Sequence, residues 1–358
     1  MSLVTFLVLF LAINVLMLLA SPIYHNQNKI FLWYYKNIFQ KVFRNQAYKH
    51  IITWIVPFFY CLLILSFGFI YYLKLAKTQN DKFSLINLTS FENYFFIPFL
   101  IISNVSLVFM CYKKSFKNIS NKANFTKVNK YDNILYHPST FCQTCQLVKP
   151  ARSKHCSLCQ KCIPDLDHHC IWINGCVSQS NIMLFDCLLL NNLFSLLYVS
   201  ARSGLILKSL NAKFSGYYKN ATNNQSDMVL TFKIVRKNLL TIFLLGFCFL
   251  MVMSWFVYTQ IKLIIDGMTS NESDKWFVIH SLIYDGYIYK INEKYFIITE
   301  ESKNDFSLKK FNSVNFYDNK IYTFDCVLQE NRVESPEEIV NIYDKGSFIK
   351  NLKERWSL

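Results

Sequence analysis

Residues 142 to 176 carry a dense set of thiols and imidazoles. They read Cys142-x2-Cys145, then His155-Cys156-x2-Cys159-x2-Cys162, then Asp167-His168-His169-Cys170, then Cys176. A Cys-x2-Cys turn presents two thiolates at the separation a tetrahedral zinc site needs. The ten Cys and His side chains fill two four-ligand sites and leave two over. The knuckles Cys142/Cys145 and Cys156/Cys159 supply four ligands. Four more come from His155, Cys162, one of His168 and His169, and Cys170 or Cys176. One imidazole and one thiol then remain next to Asp167. A thiol attacks as its thiolate, an adjacent imidazole takes its proton, and a carboxylate fixes the tautomer of that imidazole. Spacing alone also allows a purely structural zinc module, which would have no use for the Asp-His pair.

The elements that hold the cluster are set by hydropathy. Of 358 residues, 53% are hydrophobic and only 17% are charged, against about 25% charged in soluble domains. Apolar runs over residues 3–20, 54–73, 94–112, 182–207 and 239–261 are each predicted to cross a bilayer. The first run lacks a basic leader and a small-residue cleavage site, so it reads as a retained anchor. The expected fold is a polytopic α-helical membrane protein of about five transmembrane helices. Its cysteine-rich two-zinc domain lies between spans three and four, and a small mixed tail follows span five. The divisions are 1–20 (span one), 21–53 (basic segment), 54–112 (spans two and three), 113–181 (cysteine-rich domain), 182–261 (spans four and five with their loop) and 262–358 (tail).

Lysines and arginines gather in 21–53 and just after span three, which places both segments and the tail in the cytosol by the positive-inside rule. That distribution accounts for the net charge of +15 without nucleic acid as a partner. The loop near 208–237 is expected in the lumen and holds sequons at Asn220 and Asn224, although it is basic for that side. Asn191 and Asn192, inside span four, are expected to face other helices. Cys61, Cys111, Cys187 and Cys248 lie in apolar segments and are expected to be buried and inert. Alternation at Tyr287-Ile288-Tyr289 and Tyr295-Phe296-Ile297-Ile298 predicts some strand in the tail.

The run from Cys142 to Cys176 also holds Lys149-Pro150-x-Arg152, Asp167-His168-His169-Cys170-x-Trp172-x-Asn174, and beyond it Asn181 and Phe185. These residues and spacings resemble the cysteine-rich domain of the DHHC protein S-acyltransferases. Thr269-Ser270-Asn271-Glu272 resembles the family's TTxE motif, and Asn341-x-Tyr343-Asp344-x-Gly346 its aromatic C-terminal motif. Gly267-Met268-Thr269, Lys149 to Cys156 and Ile171 in place of the usual Pro resemble the fungal spore-wall-formation branch. The resemblance implies one zinc on Cys142, Cys145, His155 and Cys162 and a second on Cys156, Cys159, His169 and Cys176. It leaves Asp167, His168 and Cys170 as the catalytic group. It implies acyl-CoA, palmitoyl-CoA above all, as cosubstrate. It also implies an endoplasmic reticulum membrane location and membrane-protein substrates with juxtamembrane cysteines, SNAREs among them.

Lys149, Arg152 and Lys154 are candidates for the CoA phosphates. Trp172 is expected to pack the active-site turn. Asn174, Asn181, Thr269, Ser270, Glu272, Asn341 and Tyr343 are expected to frame the site. Gly175 and Ser178 depart from the family's Asn and Gly beside Cys176, so the loop there needs its own explanation.

Overall fold

The computed structural model describes residues 27–41, 46–70, 89–117, 129–219, 226–298, 311–315, 321–324 and 331–357, apart from single positions at 139 and 293, together with residues 17, 20, 21 and 24. The chain divides into two compact units, Met1–Leu63 and Ile64–Leu358. In the first lies the short helix α1 (Lys29–Tyr34), capped by the Asn28 side chain and continued by a π-helical turn, Tyr35–Phe39. Helix α2 (Gln46–Ile70) contains Pro57 and is apolar over Thr53–Leu65, the part whose side chains are described. The expected span over 3–20 lies outside the described residues.

In the second unit, a π turn at Glu92–Phe96 leads into α3 (Ile97–Lys117). Helices α4 (Ile182–Lys219) and α5 (Ser226–Ile265) follow the cysteine-rich domain. Among the described residues, three helices are long and apolar enough to cross a membrane: Glu92–Ser115, Ile182–Lys213 and Phe232–Ile265. Helix α4 packs against both α3 and α5. The segment expected as a loop at 208–237 is largely helix, because Ile206, Leu207 and Leu210 of α4 bury against Phe232, Val235 and Leu239 of α5. Apolar residues at i, i+3 and i+4 spacing carry both helices past the hydropathy limits. The sequon asparagine Asn220 and Asn224 lie outside the described residues.

Polar side chains join the helices. Asn191 Nδ2 donates to Ser103 Oγ at 3.0 Å, and Asn104 Nδ2 to Ser195 Oγ at 3.2 Å. Asn192 instead donates to the Leu188 carbonyl of its own helix at 2.9 Å. Of the four cysteines expected to be buried, only Cys111 is, and Cys248 is exposed. An apolar helix that meets lipid can leave such a thiol on its outer face.

Between α3 and α4 stand three hairpins of two strands each: β1 (Phe141–Cys142) with β2 (Leu147–Val148), β3 (Lys154–Cys156) with β4 (Lys161–Ile163), and β5 (His168–Cys170) with β6 (Gly175–Val177). Cys142, Cys156 and Cys170 pair with Leu147, Lys161 and Gly175 respectively. The three are thus one unit repeated every 14 residues. The residue before the return strand is left-handed each time, at φ 53°, 55° and 47° for Gln146, Gln160 and Asn174.

The tail starts with α6 (Ser270–Tyr284), whose buried face of Trp276, Ile279 and Ile283 packs on Ile134, Ile288, Val333 and Ile339. Four antiparallel strands follow: β7 (Ile288–Ile291), β8 (Lys294–Ile298), β9 (Phe311–Asn315) and β10 (Ile321–Phe324), in that spatial order. The expected strands fall in β7 and β8. Helix α7 (Phe348–Trp356), capped by Ser347, closes the chain.

Gly267 ends α5 in a left-handed turn at φ 61°, with Met268 N donating back to the Leu263 carbonyl at 2.9 Å. A Cβ there would stand 2.6 Å from Asp344 Cα. Only glycine lets the tail motif lie this close to the helix end.

Candidate active site and metal centres

Each metal cluster takes two thiols from one hairpin and two ligands from the next. Cys142 and Cys145 meet His155 and Cys162, while Cys156 and Cys159 meet His169 and Cys176; within each set all ligand atoms lie within 4.8 Å of one another. His155 Nδ1 is 3.6, 3.3 and 4.0 Å from the sulfurs of Cys142, Cys145 and Cys162. His169 Nδ1 is 3.6, 3.4 and 3.6 Å from those of Cys156, Cys159 and Cys176. With zinc–sulfur and zinc–nitrogen bonds of the usual length, a tetrahedron has edges of about 3.5–3.8 Å. The donor sets therefore fit a tetrahedral zinc in both number and spacing. In each knuckle a backbone N–H also points at the first sulfur, Cys145 N to Cys142 Sγ at 3.4 Å and Cys159 N to Cys156 Sγ at 3.5 Å, which favours the thiolate.

In the third hairpin the position of the second knuckle cysteine is taken by Ile173, which is only 1% exposed. Cys170 is buried and belongs to neither metal set. Next to it, His168 Nδ1 lies 2.7 Å from Asp167 Oδ2. Ser270 holds both oxygens of that carboxylate: its N–H donates to Oδ1 at 2.9 Å and its hydroxyl to Oδ2 at 2.7 Å. The Asp167 backbone is pinned as well, its N–H donating to the Val177 carbonyl and its carbonyl accepting from Asn271.

Burial opposes a charge on Asp167, yet the bond from His168 and the nearby Arg355 guanidinium outweigh it and hold its carboxyl below the usual range. Burial likewise pulls His168 down, but its bonds to Asp167 and Cys170 outweigh that and raise it to about 9. An ionised Asp167 can only accept, so Nδ1 of His168 donates to it and Nε2 is the nitrogen that exchanges a proton with the site. A value near 9 favours the imidazolium, the state the ring reaches once it has taken the Cys170 proton. The ring of Phe185, on the first turns of α4, stands edge-on to His168 with centroids 5.3 Å apart.

Glu272 is 1% exposed and has two roles. With Thr269 it forms the capping box of α6. It also receives a fork from Arg152, Nε to Oε1 at 2.6 Å and Nη2 to Oε2 at 2.5 Å. Arg152 is therefore not a phosphate ligand; its guanidinium is buried, engaged with Glu272 and stacked 4.5 Å over the Tyr343 ring. Lys149 is half-buried and Lys154 exposed. Tyr343 is buried, and its hydroxyl donates to the Lys130 carbonyl at 2.8 Å. Asn341 donates to the Asp266 carbonyl at 2.9 Å. Both join the tail motif to the frame. Trp172, at 48% exposure beside the equally open Ile171, sits at the hairpin tip; the residue that packs the turn is Ile173.

The two departures beside Cys176 have local explanations. A Cβ on Gly175 would lie 2.6 Å from Ser115 Oγ and 2.9 Å from its Cβ. Ser115 of α3 occupies that space and accepts from Asn181 Nδ2 at 2.8 Å, while Asn181 Nδ2 is 3.1 Å from the Cys111 carbonyl. Ser178 donates its N–H to Asn181 Oδ1 at 2.9 Å, as any residue could, and its own hydroxyl lies 3.1 Å from Ser180 Oγ, a contact glycine lacks. Gly175→Asn, the residue usual in the family, is expected to destabilise the protein by about 1–3 kcal/mol through overpacking. Thermal unfolding in detergent checks this, and Ser115→Gly in the same chain should cost less than the two separate losses together.

Hairpins whose two ligand clusters could hold metal ions, a Cys-His-Asp group outside both clusters and membrane-length helices on either side together fit a thiol-based acyltransferase of the membrane. The family model for DHHC palmitoyltransferases matches residues 135–276, and the chain belongs to that family of protein S-acyltransferases. The chain is 36% identical to palmitoyltransferase SWF1 of Candida glabrata over 98% of both chains. It is 33% identical to that of Kluyveromyces lactis over 97% of both. With the Saccharomyces cerevisiae protein the identity is 31%, covering 94% of this chain and 95% of the relative.

Proposed function

We propose that the chain transfers a long-chain acyl group, palmitoyl above all, from acyl-CoA to cysteines of membrane proteins through a Cys170 acyl-enzyme. The observation that carries this reading is the free thiol of Cys170 beside an imidazole already oriented by Asp167. His168 Nε2 takes the proton of Cys170, and the sulfur attacks the thioester carbonyl. The CoA thiol leaves with a proton, and the acyl chain is now on Cys170. A substrate thiol gives its proton to His168 and attacks the acyl-enzyme, which restores Cys170. Burial of each CH2 among the helices contributes roughly 0.8 kcal/mol, so the tail dominates donor affinity.

Both four-ligand clusters hold zinc on this reading, with a purely structural role. Lys149 and Lys154 remain candidates for the CoA phosphates. The chain crosses an endoplasmic reticulum membrane about five times, with the hairpin domain and tail in the cytosol. Its substrates carry cysteines next to transmembrane segments, as SNAREs do, and nucleic acid is not a partner. Names of the relatives support the palmitoyl donor, and basic segments flanking the apolar runs support the orientation.

Purified protein incubated with an alkynyl palmitoyl-CoA is expected to take up a hydroxylamine-labile label that Cys170→Ser abolishes. Label retained in that variant would defeat the reading. The same preparation is expected to contain two zinc ions per chain, and Cys176→Ser to lose one of them with unfolding of the hairpin domain; elemental analysis measures both.

A further inference from the structure

Helix α7 ends on two side chains that turn inward to the site. Arg355 Nε and Nη2 lie 3.2 and 3.4 Å from the two oxygens of Asp186. Nη2 also donates to Gln260 Oε1 at 2.6 Å, and Nη1 lies 3.9 Å from Asp167 Oδ1. Trp356 Nε1 donates to Asp186 Oδ2 at 2.9 Å. The Arg355 side chain is 10% exposed and that of Asp167 1%. One guanidinium therefore joins the tail helix, the start of α4, the end of α5 and the carboxylate behind His168. Asp186 directly follows Phe185, the ring that stands against His168.

The two oxygens of Asp167 are not equivalent in this arrangement. Oδ2 serves His168 and the Ser270 hydroxyl. Oδ1 takes the Ser270 N–H and faces Arg355. Arg355 is thus the cation that faces Asp167 from the Oδ1 side, and the same guanidinium is tied to Asp186 and Gln260. A cavity of about 50 Å³, lined by Asp167, Arg152, Thr269, Asn351 and Arg355 among others, adjoins the contact.

We propose that Arg355 is a positioning residue for acyl-enzyme formation: it locks the tail helix onto Asp186 and Gln260 and holds Oδ1 of Asp167, so that the nucleophilic centre is complete only when the tail is docked. The inference rests on the reading of Cys170, His168 and Asp167 as that centre. A residue that only glued the tail to the bundle would act without reference to Asp167, and a double-mutant cycle separates the two roles.

The test uses the full chain in detergent and follows single-turnover acylation over a range of palmitoyl-CoA concentrations, with zinc content recorded for each variant. Arg355→Gln is expected to lower the maximal rate about 10- to 100-fold, the size of one charge-assisted contact, with half-saturation and zinc content unchanged. Arg355→Lys should keep the rate within about fivefold of the parent, since the charge is retained. In an Asp167→Asn background, Arg355→Gln should add less than about twofold. Should Arg355→Gln fold poorly and lose zinc, Asp186→Asn provides the same measurement, and its rate loss should likewise shrink in the Asp167→Asn background. An unchanged rate in Arg355→Gln, or an equal loss in both backgrounds, overturns the proposal. Label lost in Cys170→Ser with an unaffected Arg355→Gln defeats this inference alone; label kept in Cys170→Ser defeats the nucleophile assignment and this inference with it.

Discussion

Asp167→Asn is expected to slow formation of the Cys170 acyl-enzyme about 10³- to 10⁴-fold, the scale seen when a triad carboxylate becomes an amide. The backbone of residue 167 is held by Val177 and Asn271, so the hairpin keeps its shape in the variant. The change falls on His168. An amide nitrogen turned toward Nδ1 forces the other tautomer, and Nε2 then carries a hydrogen where a base is needed. Ser270 supplies two of the carboxylate's bonds, and Ser270→Ala, which removes the hydroxyl bond, should cost about tenfold in rate. Rapid-quench acylation with zinc content measured alongside tests both, and a rate for Asp167→Asn within about tenfold of the parent would sink the assignment.

The second large effect is on stability. Arg152→Ala or Glu272→Ala should destabilise the protein by about 3–5 kcal/mol, because each breaks a buried, bidentate ion pair from one side. Asp165 Oδ1, 3.9 Å from Arg152 Nε, is the acid that remains near the guanidinium. The two side chains are 10% and 1% exposed, so water cannot replace the lost bonds. Arg152 also sits in the left-handed region at φ 63°, a conformation that the fork to Glu272 helps to maintain. Glu272→Ala should be the worse of the two by about 1 kcal/mol, since it also opens the capping box of α6. Replacing both with apolar residues, Arg152→Met with Glu272→Leu, should lose much less than the sum of the single changes. Chemical or thermal denaturation of the four proteins settles the comparison, and strict additivity would contradict a direct pair.

Legibility varied with the range of the interaction. Knuckles and the Asp-His-Cys run are local signals, so both metal sets and the free thiol could be argued from spacing and resemblance before any contact was known. Arg152 shows the limit. A basic residue in a basic segment reads as a phosphate ligand, and its partner Glu272 lies far along the chain with nothing local to announce it. Arg355, Asp186 and Ser115 went unnoticed for the same reason. Trp172 and Ile173 are neighbours whose inward and outward facing depends on a hairpin register that composition does not encode. The helices α4 and α5 outran their hydropathy limits because they bury against each other, whereas a hydropathy window sees only one segment at a time. The 14-residue recurrence of Cys142, Cys156 and Cys170, by contrast, is present in the bare spacing and shows that Cys170 occupies a knuckle position.

That recurrence makes the domain a series of links, each closed by the one that follows. The first hairpin borrows two ligands from the second, and the second borrows two from the third. Continuing the series, the third would need ligands at Met183 and Leu190, where the chain has already entered the helix α4. Helix α4 thus interrupts the ligand series one step early, and the sulfur that falls outside both four-ligand sets is Cys170. A loop conformation that twice delivers a thiol to a cluster able to hold a metal ion delivers it the third time to the side of His168.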